Sequence, residues 1–196
     1  MKTSNIPFAK ITTLIALVAF LLTSASCQDK KAASQKAAPS KSGVKPPTVD
    51  IHTAIVSGNM EAVRQHIAAG SDINIRDPFG GSSPLISATV FGKDDIAKVL
   101  IDAGVDLDIQ NNDGSTALHT AAFFCRPSIV KLLLQKGADK TIKNKFNATA
   151  YESVLAPFNE VKSVYEMMGN ALGPMGLKLD FAYIEKTRPE IAALLK

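Results

Sequence analysis

The chain has 196 residues, 46% of them hydrophobic and 20% charged, with two cysteines and no tryptophan. Two thiols exclude a disulfide-stapled scaffold, and a chain of this length buries a core without one. The net charge of +4 gives no case for a nucleic-acid partner: seven of the 22 basic residues but one of the 18 acidic residues precede residue 48, leaving the rest at 15 against 17.

Residues 1–26 read as a signal peptide. Lys2 and Lys10 sit in a polar start, and Ile11 to Leu22 forms an apolar core of 12 residues. That is short of the roughly 20 residues a membrane-crossing helix needs, but it suits a secretory segment. Small residues (Thr23 to Ser26) lead to Cys27. The arrangement resembles a bacterial lipoprotein signal, which implies a lipid anchor on Cys27. With Gln28 behind it, the resemblance implies a periplasm-facing protein on the outer membrane. Ser24 departs from the Leu, Val or Ile that this family prefers there. The alternative is an ordinary signal cleaved near Ala25, with Cys27 a spare thiol. Residues 27–47 are expected to be a flexible tether of Lys, Ala, Ser and Pro. Its lysines (Lys30, Lys31, Lys36, Lys41 and Lys45) read as a solvated spacer or, alternatively, as a membrane-surface contact.

From residue 48 the chain repeats itself. Ile51, Leu85, Leu118 and Tyr151 are equivalent, at steps of 34, 33 and 33. Gly70, Gly104 and Gly137 keep the same rhythm as helix-ending glycines, each with an Asp two residues on (Asp72, Asp106, Asp139). In the first repeat Asn59 is expected to cap a second helix with Ala62, Val63 and Ile67 inward, and His66 to face solvent on the outer side of the stack. The second repeat has one extra residue in Asp77-Pro78-Phe79-Gly80-Gly81, and Asp94 and Asp95 open its second helix. The third is the clearest: Asp113-Gly114 marks a turn, Ala117 to Phe124 a short apolar run, and Pro127 starts a helix with Ile129, Val130, Leu132, Leu133 and Leu134 spaced for one buried face. The fourth decays, with a second helix expected over Asn159 to Met168. Arg188-Pro189-Glu190-Ile191 then echoes Arg126-Pro127-Ser128-Ile129 and suggests a fifth, degenerate pair.

Thr116-Ala117-Leu118-His119-Thr120-Ala121 and Ser83-Pro84-Leu85-Ile86-Ser87-Ala88 resemble the ankyrin signature Thr-Pro-Leu-His-x-Ala. The resemblance covers residues 48–196. It implies an all-α ankyrin-repeat solenoid of about four repeats plus a degenerate C-terminal capping helix pair. It also implies that His52 and His119 hydrogen-bond to backbone and hold successive loops. The turn between the paired helices takes a positive φ in such repeats, which suits Gly58 and Gly92 and falls on Cys125 in the third.

No catalytic or metal-ligating constellation emerges, and no cofactor or small-molecule substrate is expected. Histidines, cysteines and acids show no metal spacing, no glycine-rich loop follows a strand, and no Gly-x-Ser-x-Gly elbow occurs. An enzyme assembled from unremarkable residues is the reading from another class. By the resemblance, binding falls to hairpin tips and first-helix ends along the concave face. Those positions hold Phe79, Lys145 and Phe146 at tips, and Val90, Phe91, Phe123 and Phe124 at helix ends. Phenylalanine at positions the repeat leaves free suggests an aromatic strip, unless one of each adjacent pair folds into the core. The expected function is non-catalytic binding of another protein in the cell envelope, as a scaffold or as an inhibitor or immunity protein.

Overall fold

The computed structural model describes residues 43–196; the expected signal segment, Cys27 and the tether up to residue 42 lie outside the described residues. Three helix pairs come first: α1 (Ile51–Ser57) with α2 (Met60–Ala68), α3 (Pro84–Val90) with α4 (Asp94–Asp102), and α5 (Ala117–Phe123) with α6 (Pro127–Gln135). Helices of seven and nine residues are too short to hold in water alone, so each depends on its neighbours. The chain supplies starts and stops at every one. Asp50, Ser83 and Thr116 cap the first helices by accepting from the third backbone N–H beyond them. Asn59 caps α2, while Pro127 opens α6 and Asp94 and Asp95 open α4. Gly70, Gly104 and Gly137 end the second helices at φ of 68°, 82° and 87°. In each case the next residue donates back five positions, as from Ala138 N–H to the Leu133 carbonyl at 3.0 Å.

First helices stack on first helices and second on second, and the buried faces merge into one core. Ile55, Leu85, Ile86 and Leu118 come from the first row, and Val63, Leu100, Ile129 and Leu133 from the second. Among the described residues there is no strand, and no helix is long and apolar enough to cross a membrane.

Two helices, α7 (Phe158–Leu172) and α8 (Phe181–Leu195), close the stack, but they divide differently from the expected fourth and fifth repeats. The first helix of the fourth repeat has shrunk to a 3-10 turn, Glu152–Val154, packed on α5. Pro157 ends it early, because the residue before a proline resists the helical conformation. The second helix of that repeat is not the α7 segment but α8, which packs along α6 and against the 3-10 turn. The echo of Arg126-Pro127 at Arg188-Pro189 therefore marks the fourth repeat, not a fifth. Ile191 follows Ile129 by 62 residues where Ile129 follows Ile96 by 33, so α7 and its links are an insertion of 29 residues. Pro189 holds the place that Pro127 holds at the start of α6, and α8 extends backward from it by eight residues.

His66 also differs from expectation. It is 8% exposed rather than solvent-facing, with Nε2 2.9 Å from the Val49 carbonyl and Nδ1 3.1 Å from Ser71 Oγ. The backbone entering the first repeat covers this end of the stack, and Gln65 Nε2 also donates to the Lys45 carbonyl at 3.0 Å.

Candidate functional site

The connections between helix pairs end in tight tips, closed by Asp77 N–H to Ser82 C=O (2.9 Å), Asn111 N–H to Ser115 C=O (3.0 Å) and Asn144 N–H to Ala148 C=O (3.0 Å). The first tip contains the extra residue. Each is shaped by a side-chain oxygen accepting from its own loop: Asp77 from Phe79, Gly80 and Ser82, Asn111 from Asp113 and Ser115, Asn144 from Phe146 and Ala148. Burial raises the Asp77 carboxyl, but hydrogen bonds from the N–H groups of Gly80, Phe79 and Ser82 outweigh it and hold its pKa below the usual value. Adjacent tips are stitched together, Asn112 N–H to Gly80 C=O at 2.8 Å and Lys145 N–H to Asp113 C=O at 2.9 Å. Gly114 permits that approach: its φ is 73°, and a Cβ there would lie 3.0 Å from Lys145 N.

The motif histidines hold the loops to the helices. His119 Nδ1 faces the Thr116 N–H at 3.3 Å, and its Nε2 faces the Ala148 carbonyl at 3.0 Å in the next loop. A carbonyl can only accept and an N–H can only donate, so the ring is neutral with its hydrogen on Nε2. Burial lowers its pKa, opposed by the hydrogen bond to Ala148. His52 likewise reaches the Ile75 carbonyl at 3.1 Å and Ser87 Oγ at 3.2 Å. Glu152 occupies the position in the fourth repeat and closes a capping box with Thr149 instead. Asp72, Asp106 and Asp139 each accept from the N–H two residues on, as turn-formers.

The expected strip does not run unbroken. Phe79 stands 89% exposed at the first tip. Val90, Phe91 and Phe146 are half-buried and Lys145 is exposed. Phe124 is 3% exposed, so it belongs to the interior and not to a partner face. Phe123 is half-buried, edge-on to Phe124 (centroids 5.3 Å) and stacked on Tyr165 of α7 (4.4 Å). The inserted helix thus covers Phe123 through Tyr165, and Phe123 in turn packs on Phe124. Tyr165 also donates to the Phe123 carbonyl at 2.6 Å and accepts from Arg188 Nη1 at 2.8 Å, while Arg188 Nη2 reaches the Ala156 carbonyl at 2.8 Å. Burial pushes the Tyr165 hydroxyl up, so the phenol stays protonated. The sequence pattern missed the role of Tyr165 because the count places its helix as the second of the fourth repeat and the Arg188 echo in a fifth, which hides the meeting of the two side chains.

Cys125 sits at φ 53° in the turn where Gly58 and Gly92 stand at 74° and 61°. It is fully buried, and burial pushes its thiol up to about 11, well away from a reactive thiolate. Among the described residues no group of three or more His, Cys, Asp or Glu could hold a metal ion.

Tight tips, paired short helices and histidines that tie the first and third repeats to their following loops define an ankyrin-repeat solenoid, a protein-interaction module. Residues 51–144 match the family model "Ankyrin repeats (3 copies)". Over 64 residues, a third of this chain, it is 44% identical to protein phosphatase 1 regulatory subunit 27 of Homo sapiens and of Mus musculus. The aligned part is 41% of those relatives' length. Among solved structures it resembles the ankyrin repeat domain of Bcl-3, a member of the IkappaB protein family. That likeness has a TM-score of 0.52 and 27% identity, and covers 62% of this chain and 57% of that one.

Proposed function

We propose that this protein is a non-catalytic module of the bacterial cell envelope that grips another protein with its hairpin tips and the open ends of its first helices. The observation that carries this reading is Phe79, a large apolar side chain held in water on a loop pinned by the Asp77 carboxylate. A fixed aromatic ring loses little freedom on binding and buries much apolar area. Phe91, Val90 and Phe146 supply further half-buried contacts. That relatives of the repeats are named as a regulatory subunit favours a module that controls its partner, as an inhibitor or immunity protein would, over a passive scaffold.

Capture from solubilised envelope by the full chain, with Phe79→Ala in parallel, tests the binding reading. The wild type should retain a partner that the variant loses; retention by both, at equal yield, would remove the tips from the interface. Attachment is tested separately. The wild type should partition into detergent and take up labelled fatty acid, and Cys27→Ala should do neither. Equal solubility and identical mature mass would end the lipid-anchor proposal.

A further inference from the structure

Resting on the tip-binding reading above, we propose that the cleft between the hairpin tips receives an acidic, extended peptide segment of the partner and reads its side-chain carboxylates. An open cleft of about 410 Å³ runs along the tips, lined by Arg76, Lys143 and Lys145 together with Gln110, Asn111 and Asn144. That volume lies within the range of about 300–1,000 Å³ usual for ligand clefts.

Its chemistry is polarised toward donors. Lys143 and Lys145 form no ion pair or side-chain hydrogen bond among the described residues, although Lys143 lies within the field of Glu152. Arg76 spends Nε on the Gly81 carbonyl and one Nη2 hydrogen on Asn112 Oδ1, which leaves the rest of its guanidinium unused. Asn111 and Asn144 each use the carbonyl oxygen of the side chain on two backbone N–H groups, so what they can offer is NH2: both hydrogens from Asn111 and one from Asn144, whose other hydrogen faces Ser115 Oγ at 3.5 Å. Gln110 is the exception, because its NH2 donates to the Gly114 and Lys143 carbonyls and leaves an acceptor free. Cations and spare N–H groups in one cleft suit ligands that only accept, and a carboxylate is the common one on a polypeptide. Asp77 and Asp113 stand on the same tips. They would repel a uniformly anionic surface such as a membrane, but a peptide with spaced carboxylates can pass them.

The test uses the full chain and a fluorescein-labelled, C-terminally amidated (Glu-Ser)4 peptide, with (Gln-Ser)4 for comparison, read by fluorescence polarisation. The glutamate peptide should bind at least tenfold more tightly and weaken as salt rises. Lys143→Gln/Lys145→Gln should cost a further tenfold or more, with the far-ultraviolet spectrum and melting curve unchanged since neither ammonium bonds within the fold. The charge-matched Lys98→Gln/Lys136→Gln, one on α4 and one at the end of α6, should leave binding intact. Equal binding of the two peptides, or equal loss in the two double variants, overturns the proposal. So does binding to anionic phosphatidylglycerol vesicles without binding to the peptide. Should Lys143→Gln/Lys145→Gln still capture the envelope partner at full yield, the cleft assignment fails while the Phe79 reading stands.

Discussion

The Tyr165 hydroxyl bridges Arg188 and the carbonyl of Phe123, 42 residues back in the chain. Arg188 is 3% exposed and has no carboxylate partner among the described residues, so its charge is held by two oxygens, one of them this phenol. Tyr165→Phe keeps the ring stack on Phe123 and removes only the bridge. A hydrogen bond to a buried charged group is worth about 1.5–3 kcal/mol, and the variant should lose that much in urea unfolding. A loss under about 0.5 kcal/mol would show that water replaces the hydroxyl.

Cys125 should invert a familiar order. Cys125→Ala keeps a Cβ at positive φ and gives up a buried sulfur, costing about 1 kcal/mol or more. Cys125→Gly loses slightly more volume but relieves about 1 kcal/mol of backbone strain. Under reducing conditions the glycine variant should therefore be at least as stable as the alanine variant. An alanine variant clearly more stable than glycine would mean the turn carries no strain.

Phenylalanines that look alike in sequence should separate on mutation. Phe124→Ala empties a buried site and should cost about 3–5 kcal/mol, whereas Phe79→Ala should stay within about 0.5 kcal/mol. Midpoints in guanidinium chloride distinguish them. Matching values would contradict the burial of Phe124.

His119 sets a pH dependence. Its folded pKa is lowered, so the unfolded chain takes up the proton first as pH falls. The contribution is complete above the unfolded value of about 6.5 and is lost progressively below it. Wild type should lose more stability between pH 7.5 and 5 than His119→Gln does. Parallel curves would mean that the ring accepts a proton in the fold, against the geometry at Thr116.

Most of the solenoid was legible because its signals are local. Capping oxygens, helix-ending glycines and the Leu118-His119 pair act within a few residues, and one period superimposes them. Cys125 could be placed in its turn by counting 33 from Gly92. What escaped depended on distant chain. Phe123 reads as a free helix-end position until Tyr165 of α7 stacks on it, and His66 looks exposed until the backbone of Val49 covers it. The cleft cations were visible one at a time, as with Lys145, but their grouping depends on tips stitched across repeats. The fourth repeat misled for a different reason. A 29-residue insertion shifts the phase, so the first apolar helix after Pro157 takes the place in the count that α8 takes in space.

That insertion also bears on how the domain comes apart. In the first repeat two residues, Gly58 and Asn59, separate the paired helices; in the fourth, 26 separate Val154 from Phe181. Closing the longer link as flexible chain costs roughly 2 kcal/mol more, since each doubling of length adds about 0.6 kcal/mol. Contacts that span more sequence also form more slowly. The first three repeats can zip from neighbour to neighbour, while the fourth waits for α8 to return to α6. Amide protons of α8 should exchange with solvent through partial openings that leave α3 and α4 protected. When α8 lifts away, α6 loses its neighbour on that side, so the stack should unravel from this end.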